Sequence, residues 1–392
     1  MRILIVHNHY GRFAQGGEAN VMNAEAKLLA EHGHEVMKYE RTNAEIYEDG
    51  TIADKLRAFR DVAWSEKSYQ EIKKVLREFK PHVMHVHNYW LVLTPSIFAA
   101  AKECSVKTVL TLHNYRLICP GNQFKRDSEP CELCLDGKGW RCMVYRCFPD
   151  RSMLKCLLST LLYYRTRARS FLSPWVDAYI TLSEFGRLRF IAAGLPAEKI
   201  FVKPNFMPDP IGGPTFSGDE GNGGFYAGRV SAEKGIETVI DAWAGLEYPL
   251  RVAGDGPLLD AMQRKATTSV IWLGWQSHEE TLRLLRESAF LIFPSILYEG
   301  FPLALLEAMA LGKAIIASDL GPRREMITDG TSGLLFEAGN SKDLRSKIET
   351  LIGDPALRIQ LGRTARETYL ARYTPEKNYQ ILMNVYEHVL QS

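Results

Sequence analysis

The sequence has no run of eighteen uncharged apolar residues, so none of it reads as a transmembrane helix. Its start, MRILIVHNHYG, holds an apolar run of only four residues, Ile3 to Val6, too short for the core of a signal peptide. A cytoplasmic protein with mostly reduced cysteines is therefore expected. Charge of one sign is also scarce. The net charge is +2, which gives no case for a nucleic-acid partner. No G-x-G-x-x-G opens the chain, so no dinucleotide site is read there. No D-x-D pair stands at a strand end to hold a divalent ion, so no catalytic cofactor is expected. Low-complexity tracts are absent, which excludes long disorder.

What is present is enough apolar material for two cores: 392 residues, 46% of them hydrophobic. Ile3 to Val6 reads as a buried parallel strand, followed by His7, Asn8, His9 and Tyr10 at the end where open α/β sheets place ligands. Gly16 and Gly17 precede a helix over Glu18 to Glu31. They either let a ligand approach the backbone or simply make the turn. Strands follow over Glu35–Tyr39, Val83–Val86, Thr108–Leu112, Asp177–Leu182 and Lys199–Val202. His85 and His87 share one strand face, but no nearby carboxylate completes a metal site. His113, Asn114, Tyr115 and Arg116 leave the end of the Thr108–Leu112 strand. His113 is either a ligand-facing residue or a loop histidine bonded to backbone.

Residues 211–224, IGGPTFSGDEGNGG, read as a linker. Beyond it come Phe225–Val230 and then Leu250–Ala253, which ends in Gly254. Val270–Leu273, Ala289–Phe293 and Ala314–Ala317 follow as further strands. The expected fold class is α/β: two Rossmann-like, doubly wound domains, 1–210 and 225–370, with a terminal helix over 371–392 crossing back to the first.

The second domain is organised around Pro294 to Leu311, PSILYEGFPLALLEAMAL. Pro294, Gly300 and Pro302 make its first half loop. Leu303 to Leu311 is made of good helix formers and stops at Gly312. Pro302 suits the first helical position. Glu299 then lies on the loop feeding a helix N-terminus, with the amides of Phe301, Leu303 and Ala304 free to hold an anion. Glu307 lies inside that apolar helix. A ligand hydroxyl would satisfy it there, as would neighbouring backbone or a lysine. Arg229, at a strand end, and Lys234, five positions on, read either as surface cations or as partners for a departing diphosphate.

E-G-F-P-L followed by Glu307 resembles the E-x7-E motif of the retaining glycosyltransferases of family 4. GRVSAEKGI resembles that family's G-R-x…K-G segment, and VLTLHNYR resembles the strand with its terminal histidine. The resemblance covers nearly the whole chain. It implies a GT-B fold, with the two domains facing a central cleft and a nucleoside diphosphate sugar held mainly by the second. It implies that Glu299 contacts the sugar hydroxyls, Glu307 the ribose, and Arg229 and Lys234 the diphosphate. Gly300, Phe301 and Leu303 would meet the sugar and distal phosphate through backbone. Gly16 and Gly17 would face the donor, and the Gly254 loop would pack on the base. His113 would lie beside donor sugar and acceptor, with Asn114, Tyr115 and Arg116 on the acceptor side.

Five of seven cysteines fall in one insert, about 119–150: Cys119, Cys131, Cys134, Cys142 and Cys147. Cys131-x2-Cys134 with Cys142-x4-Cys147 has the spacing of a structural zinc bound by four of the five; plain thiols and disulfides are the alternatives. From Lys138 to Arg169 there are eight basic residues and one acid. MLKCLLSTLLYYRTRAR within it suits either an anionic membrane surface or an ordinary packed helix.

The reading is a retaining glycosyltransferase. It is expected to move a sugar to a saccharide or polyprenyl-linked saccharide in cell-surface polysaccharide biosynthesis, at the inner face of the cytoplasmic membrane where the basic stretch docks. The rivals are an epimerase or phosphorylase on the same scaffold, and a non-catalytic partner subunit. The latter would be expected to lose Glu299, Glu307, Arg229 or Lys234, and all four are present.

Overall fold

The computed structural model of the chain describes residues 1–11, 17–126, 129–148, 151–166, 174–212 and 221–392. Gly16, Arg167, Arg169 and residues 213–220 of the glycine-rich segment lie outside them. The chain forms two compact units.

The first unit comprises Met1–Asp127, Cys131–Asn205 and Asn378–Ser392. Its strands are β1 (Arg2–His9), β2 (Glu35–Thr42), β3 (Val83–Val86), β4 (Lys107–Leu112), β7 (Ala178–Thr181) and β8 (Ile200–Val202). The insert carries the short pair β5 (Lys125–Arg126) and β6 (Glu129–Pro130). The six-stranded sheet runs β2-β1-β3-β4-β7-β8, with every pair parallel. Parallel strands buried on both faces need unbroken apolar runs, which is why Ile3 to Val6 shows no alternation. Met22 and Leu29 of the Gly17–Glu31 helix pack on Ile3, Ile5, Val83, Val109 and Ile180. So do Leu382, Val385, Tyr386 and Val389 of the terminal helix Pro375–Gln391.

The second unit holds Ser128–Pro130 and Phe206–Lys377. Its strands are β9 (Gly224–Ala227), β10 (Leu250–Ala253), β11 (Val270–Gly274), β12 (Phe290–Phe293), β13 (Ala314–Ser318) and β14 (Leu334–Phe336). They run β11-β10-β9-β12-β13-β14, all parallel. Trp243, Leu250, Val252, Phe290, Ile292, Ile316 and Phe336 form the core.

In each sheet the strand order reverses at one place, between β1 and β3 in the first unit and between β9 and β12 in the second. Loops leaving the two strands at such a point diverge and open a crevice beyond the strand ends. The residues expected to carry function cluster at these two places.

Candidate functional site

In the second unit the loops after β9 and β12 are tied to one another. The amide of Ile296 donates to the Glu233 carbonyl at 3.1 Å, and Ser295 Oγ donates to the same carbonyl at 3.4 Å. Gly235 sits at φ +73°, and a Cβ there would stand 2.1 Å from the Pro294 carbonyl oxygen, so only glycine lets the loops meet. Buried Arg323 braces the β12 loop, donating to the carbonyls of Ser295 (3.0 Å), Leu297 (3.1 Å) and Ser318 (2.7 Å). This stitching brings Lys234 Nζ to 2.8 Å from Glu299 Oε1. Burial alone would raise the Glu299 pKa, but Lys234, Ser295 and Arg323 outweigh it and hold the carboxyl below the ordinary range.

The helix Leu303–Ala310 starts just beyond. Pro302, expected at the first helical position, is instead the N-cap residue, one place earlier, at φ −70° and ψ 115°. That extended ψ turns the chain into the helix and leaves the first-turn amides without intrahelical partners. Glu307 is nearly enclosed, and burial lifts its pKa to about 7. The exposed His278 places its Nδ1 3.4 Å from Glu307 Oε1. Arg229 is exposed. Gly254 passes so close to Gly228 that a Cβ would lie 1.9 Å from the Gly228 carbonyl oxygen. Phe301 contributes backbone only, since its ring is buried edge-on against Tyr373, 5.4 Å between centroids.

In the first unit the ends of β1, β3 and β4 carry a second cluster. Asn114 Nδ2 donates to Glu18 Oε1 (3.1 Å) and to the Tyr10 hydroxyl (3.2 Å). The Arg116 guanidinium donates to the same hydroxyl at 3.3 Å and lies over Trp90, 4.3 Å from the ring centre. Burial drives the Glu18 pKa up, against the pull of Asn114 and Arg116. Gly17 opens the helix that carries Glu18. His113 pairs with His87 at 3.0 Å, and burial holds its pKa well below the ordinary histidine value.

These two crevices can be set beside known proteins. Residues 15–208 match glycosyltransferase family 4, and residues 217–368 match the glycosyl transferases group 1. The chain belongs to the family 4 glycosyltransferases. An uncharacterized glycosyltransferase of Methanocaldococcus jannaschii is 32% identical over 172 residues, 43% of this chain and 48% of the relative. A second relative, from Campylobacter jejuni, is the N,N'-diacetylbacillosaminyl-diphospho-undecaprenol alpha-1,3-N-acetylgalactosaminyltransferase. It is 32% identical over 138 residues, 35% of this chain and 36% of that protein. The matched stretches thus span half or less of these relatives. HepE of Anabaena, solved with UDP-glucose, superposes with a TM-score of 0.63 at 17% identity over 98% of this chain and 99% of its own. That likeness supports the GT-B fold.

Within this glycosyltransferase most expected residues stand at the crevices, with three differences. Tyr115 does not join the acceptor-side group. Its ring is buried against Phe124 and Phe190, at 4.7 and 6.0 Å between centroids, so it is core. His85 and His87 do have a carboxylate beside them, because the Gly17–Glu31 helix brings Glu25 across the sheet. Among the described residues these three place their ligand atoms within 4.8 Å of one another. A cation is nonetheless not called for. Lys203 Nζ is already bonded to Glu25, and His85 spends both nitrogens on Tyr386 (2.8 Å) and Thr111 (2.7 Å). Among the described residues no three of the five cysteine sulfurs gather as closely as Glu25, His85 and His87 do, so the expected four-thiol set is not assembled. Cys142 and Cys147 hydrogen-bond through sulfur, and Cys119 Sγ accepts the amides of Gly121, Gln123 and Phe124. Burial raises Cys119 to about 11 and Cys134 to about 12.

The helix Met153–Thr166 is turned inside out. Cys156, Thr160 and Tyr163 face the protein, while Met153, Leu154, Leu157, Leu158 and Leu161 are exposed. No helix of the described residues is long and apolar enough to cross a membrane.

Sequence reasoning missed Arg323, Glu25 and Lys203. Glu25 had a signal: it lies on the same helix face as Val21, Met22 and Leu29, all buried. Arg323 had none, because its partners are three backbone carbonyls, two of them more than twenty positions away.

Proposed function

We propose that this glycosyltransferase is a retaining enzyme that takes its sugar from a nucleoside diphosphate donor. The Lys234–Glu299 pair at the β9/β12 crevice is the observation that carries this reading. A cation for the leaving diphosphate and an ionised carboxylate for sugar hydroxyls are held together at a helix N-terminus. Glu307 offers the ribose a buried acceptor. No divalent ion is assigned to catalysis, so activity is expected to survive EDTA; strict dependence on magnesium or manganese would count against the reading. Screening UDP-, GDP- and ADP-sugars by thermal shift tests the donor class. One nucleotide family should stabilise the protein strongly, and that gain should shrink in Glu307→Ala at the same donor concentration. The absence of a shift with every donor would reject the assignment.

The acceptor is proposed to be a saccharide, free or on a polyprenyl diphosphate, in cell-surface polysaccharide synthesis. The name of the Campylobacter jejuni relative, with its diphospho-undecaprenol acceptor, supports a lipid-linked one. A cavity of roughly 400 Å³ lined by Tyr47, Trp90, Arg116, Asn122, Gln123 and Ser159 gives aromatic and amide surface suited to a sugar. The exposed leucine face of Met153–Thr166, with Arg151, Lys155 and Arg165 around it, suits an anionic bilayer at the cytoplasmic face. Vesicles containing anionic lipid should pull the protein down, and Leu154→Asp with Leu158→Asp should release it. If the parent protein ignores such vesicles, the acceptor is a soluble saccharide.

The cysteine insert is proposed to bind one zinc through four of its five thiols. The insert is poor in apolar residues, and Cys119 already receives three amides of the kind that stabilise a thiolate. Elemental analysis of purified protein should find about one zinc per chain. Active, metal-free protein with five titratable thiols in this segment would overturn it.

A further inference from the structure

The first unit buries a line of ionisable groups beneath the β1/β3 crevice. Lys203, Glu25, His85 and His87 are all fully or almost fully enclosed. Lys203, just beyond β8, bonds Glu25, which comes from the helix after β1. The other Glu25 oxygen, Oε2, lies 3.2 Å from His87 Nε2 in a bent contact. Neither atom has another hydrogen-bond partner among the described residues, so each must serve the other. His87 Nδ1 in turn lies 3.0 Å from His113 Nε2, with the two rings stacked at 24°. The line therefore runs Lys203–Glu25–His87–His113. It ends at a narrow cavity that His87 and His113 line with Asn88, Trp90, Asn114 and Arg116.

We infer that Glu25 is a positioning residue that, through His87, fixes the tautomer of His113 and turns its Nδ1 into a hydrogen-bond acceptor for a saccharide hydroxyl. The logic is a count of protons. An ionised carboxylate only accepts, so His87 Nε2 must carry the hydrogen. Lys203 already balances the Glu25 charge, and a second cation on His87 would be buried beside the first. His87 is therefore neutral, and its Nδ1 is a lone pair. His113 Nε2 must then donate to it. A neutral His113 with hydrogen on Nε2 has only Nδ1 left, and Nδ1 can only accept. The electrostatics agree at both ends: burial keeps His113 neutral, while Lys203 leads the groups that overcome burial and keep Glu25 ionised. A hydroxyl that donates to Nδ1 is oriented and made more nucleophilic. The carboxylate is remote from that hydroxyl and acts only through the two rings. His85, held by Tyr386 and Thr111, is a neighbour of this line and not a link in it.

The role of Glu25 rests on the reading of His113 as the saccharide-facing residue, and the test separates the two. Full-length protein labelled with 15N-histidine should show His113 with hydrogen on Nε2 and a bare Nδ1. Glu25→Gln alone would leave the Lys203 cation buried and unpaired, so the informative variant is Glu25→Gln with Lys203→Met, which removes both charges at similar volume. It should fold, shift part of the His113 population to the Nδ1–H tautomer, and lower kcat roughly 10–100-fold with donor KM unchanged. Tyr386→Phe perturbs the same buried region without touching His87 and should leave the His113 tautomer as it was. A wild-type His113 with hydrogen on Nδ1, or a folded double variant with an unchanged tautomer, overturns the inference. If His113→Ala keeps full activity while the tautomer results hold, the saccharide reading of His113 falls and the tautomer control stands.

Discussion

Lys234→Ala is expected to lower kcat by ~100-fold or more, the scale of losing one preorganised partner for charge that develops in the transition state. Arg229→Ala is expected to lose about the same factor by the same argument, but the two variants should differ in pH dependence. Arg229 is exposed and is not among the groups that lower the Glu299 pKa, whereas Lys234 Nζ is 2.8 Å from that carboxylate. Burial presses the Glu299 pKa upward, and Lys234 is the foremost group resisting it. Without the lysine the carboxyl protonates at higher pH, so the acid limb of the rate profile moves toward neutrality. Glu299→Ala should mainly lower turnover too, the outcome that its proposed contact to the transferred sugar requires. Steady-state kinetics of the three variants between about pH 5 and 9 decides the matter. Lys234→Ala with wild-type turnover would remove the diphosphate role, and an acid limb that moves equally in Arg229→Ala would remove the special pairing.

The same pair marks how far the sequence can be read. Lys234 and Glu299 are 65 positions apart, and each carried a readable local signal: a cation after a strand, and an acid before a helix. Their mutual bond had none, because it depends on Gly235 admitting Pro294 and on Arg323 holding three carbonyls. The strands were legible because parallel strands buried on both faces are unbroken apolar runs. Phe290–Phe293 and Ala314–Ser318 fall where the runs fall. Strand order was not legible: nothing local tells β9 to pair with both β10 and β12, yet that pairing creates the crevice. Tyr115 shows the opposite failure. Three neighbours in HNYR are polar and face the site region, and the aromatic ring between them turns inward because Phe124 and Phe190 offer it a core.

Glu307 should give stability and binding effects of opposite sign. Glu307→Ala is expected to weaken donor binding about thirtyfold, the ~2 kcal/mol of one charge-assisted hydrogen bond. Glu307→Gln tests the ligand-free protein. The folded pKa is about 7, against an ordinary 4.5 for a glutamate in the unfolded chain. Because this acid is raised, its ionisation opposes folding. The opposition is absent below the unfolded pKa, grows between the two values, and is complete above about 7, where it reaches about 3 kcal/mol. Glutamine does not titrate, so Glu307→Gln should be more stable than the parent at pH 8 and lose that advantage near pH 4.5. Denaturant midpoints at the two pH values measure it. A ribose hydroxyl donating to this carboxylate favours the ionised form, so donor binding near pH 7 should release protons. Titration calorimetry in buffers of different ionisation enthalpy reads that release directly, and Glu307→Gln should abolish it. A variant no more stable than the parent at pH 8, with proton release unchanged, would show that Glu307 is satisfied inside the protein and does not hold the donor.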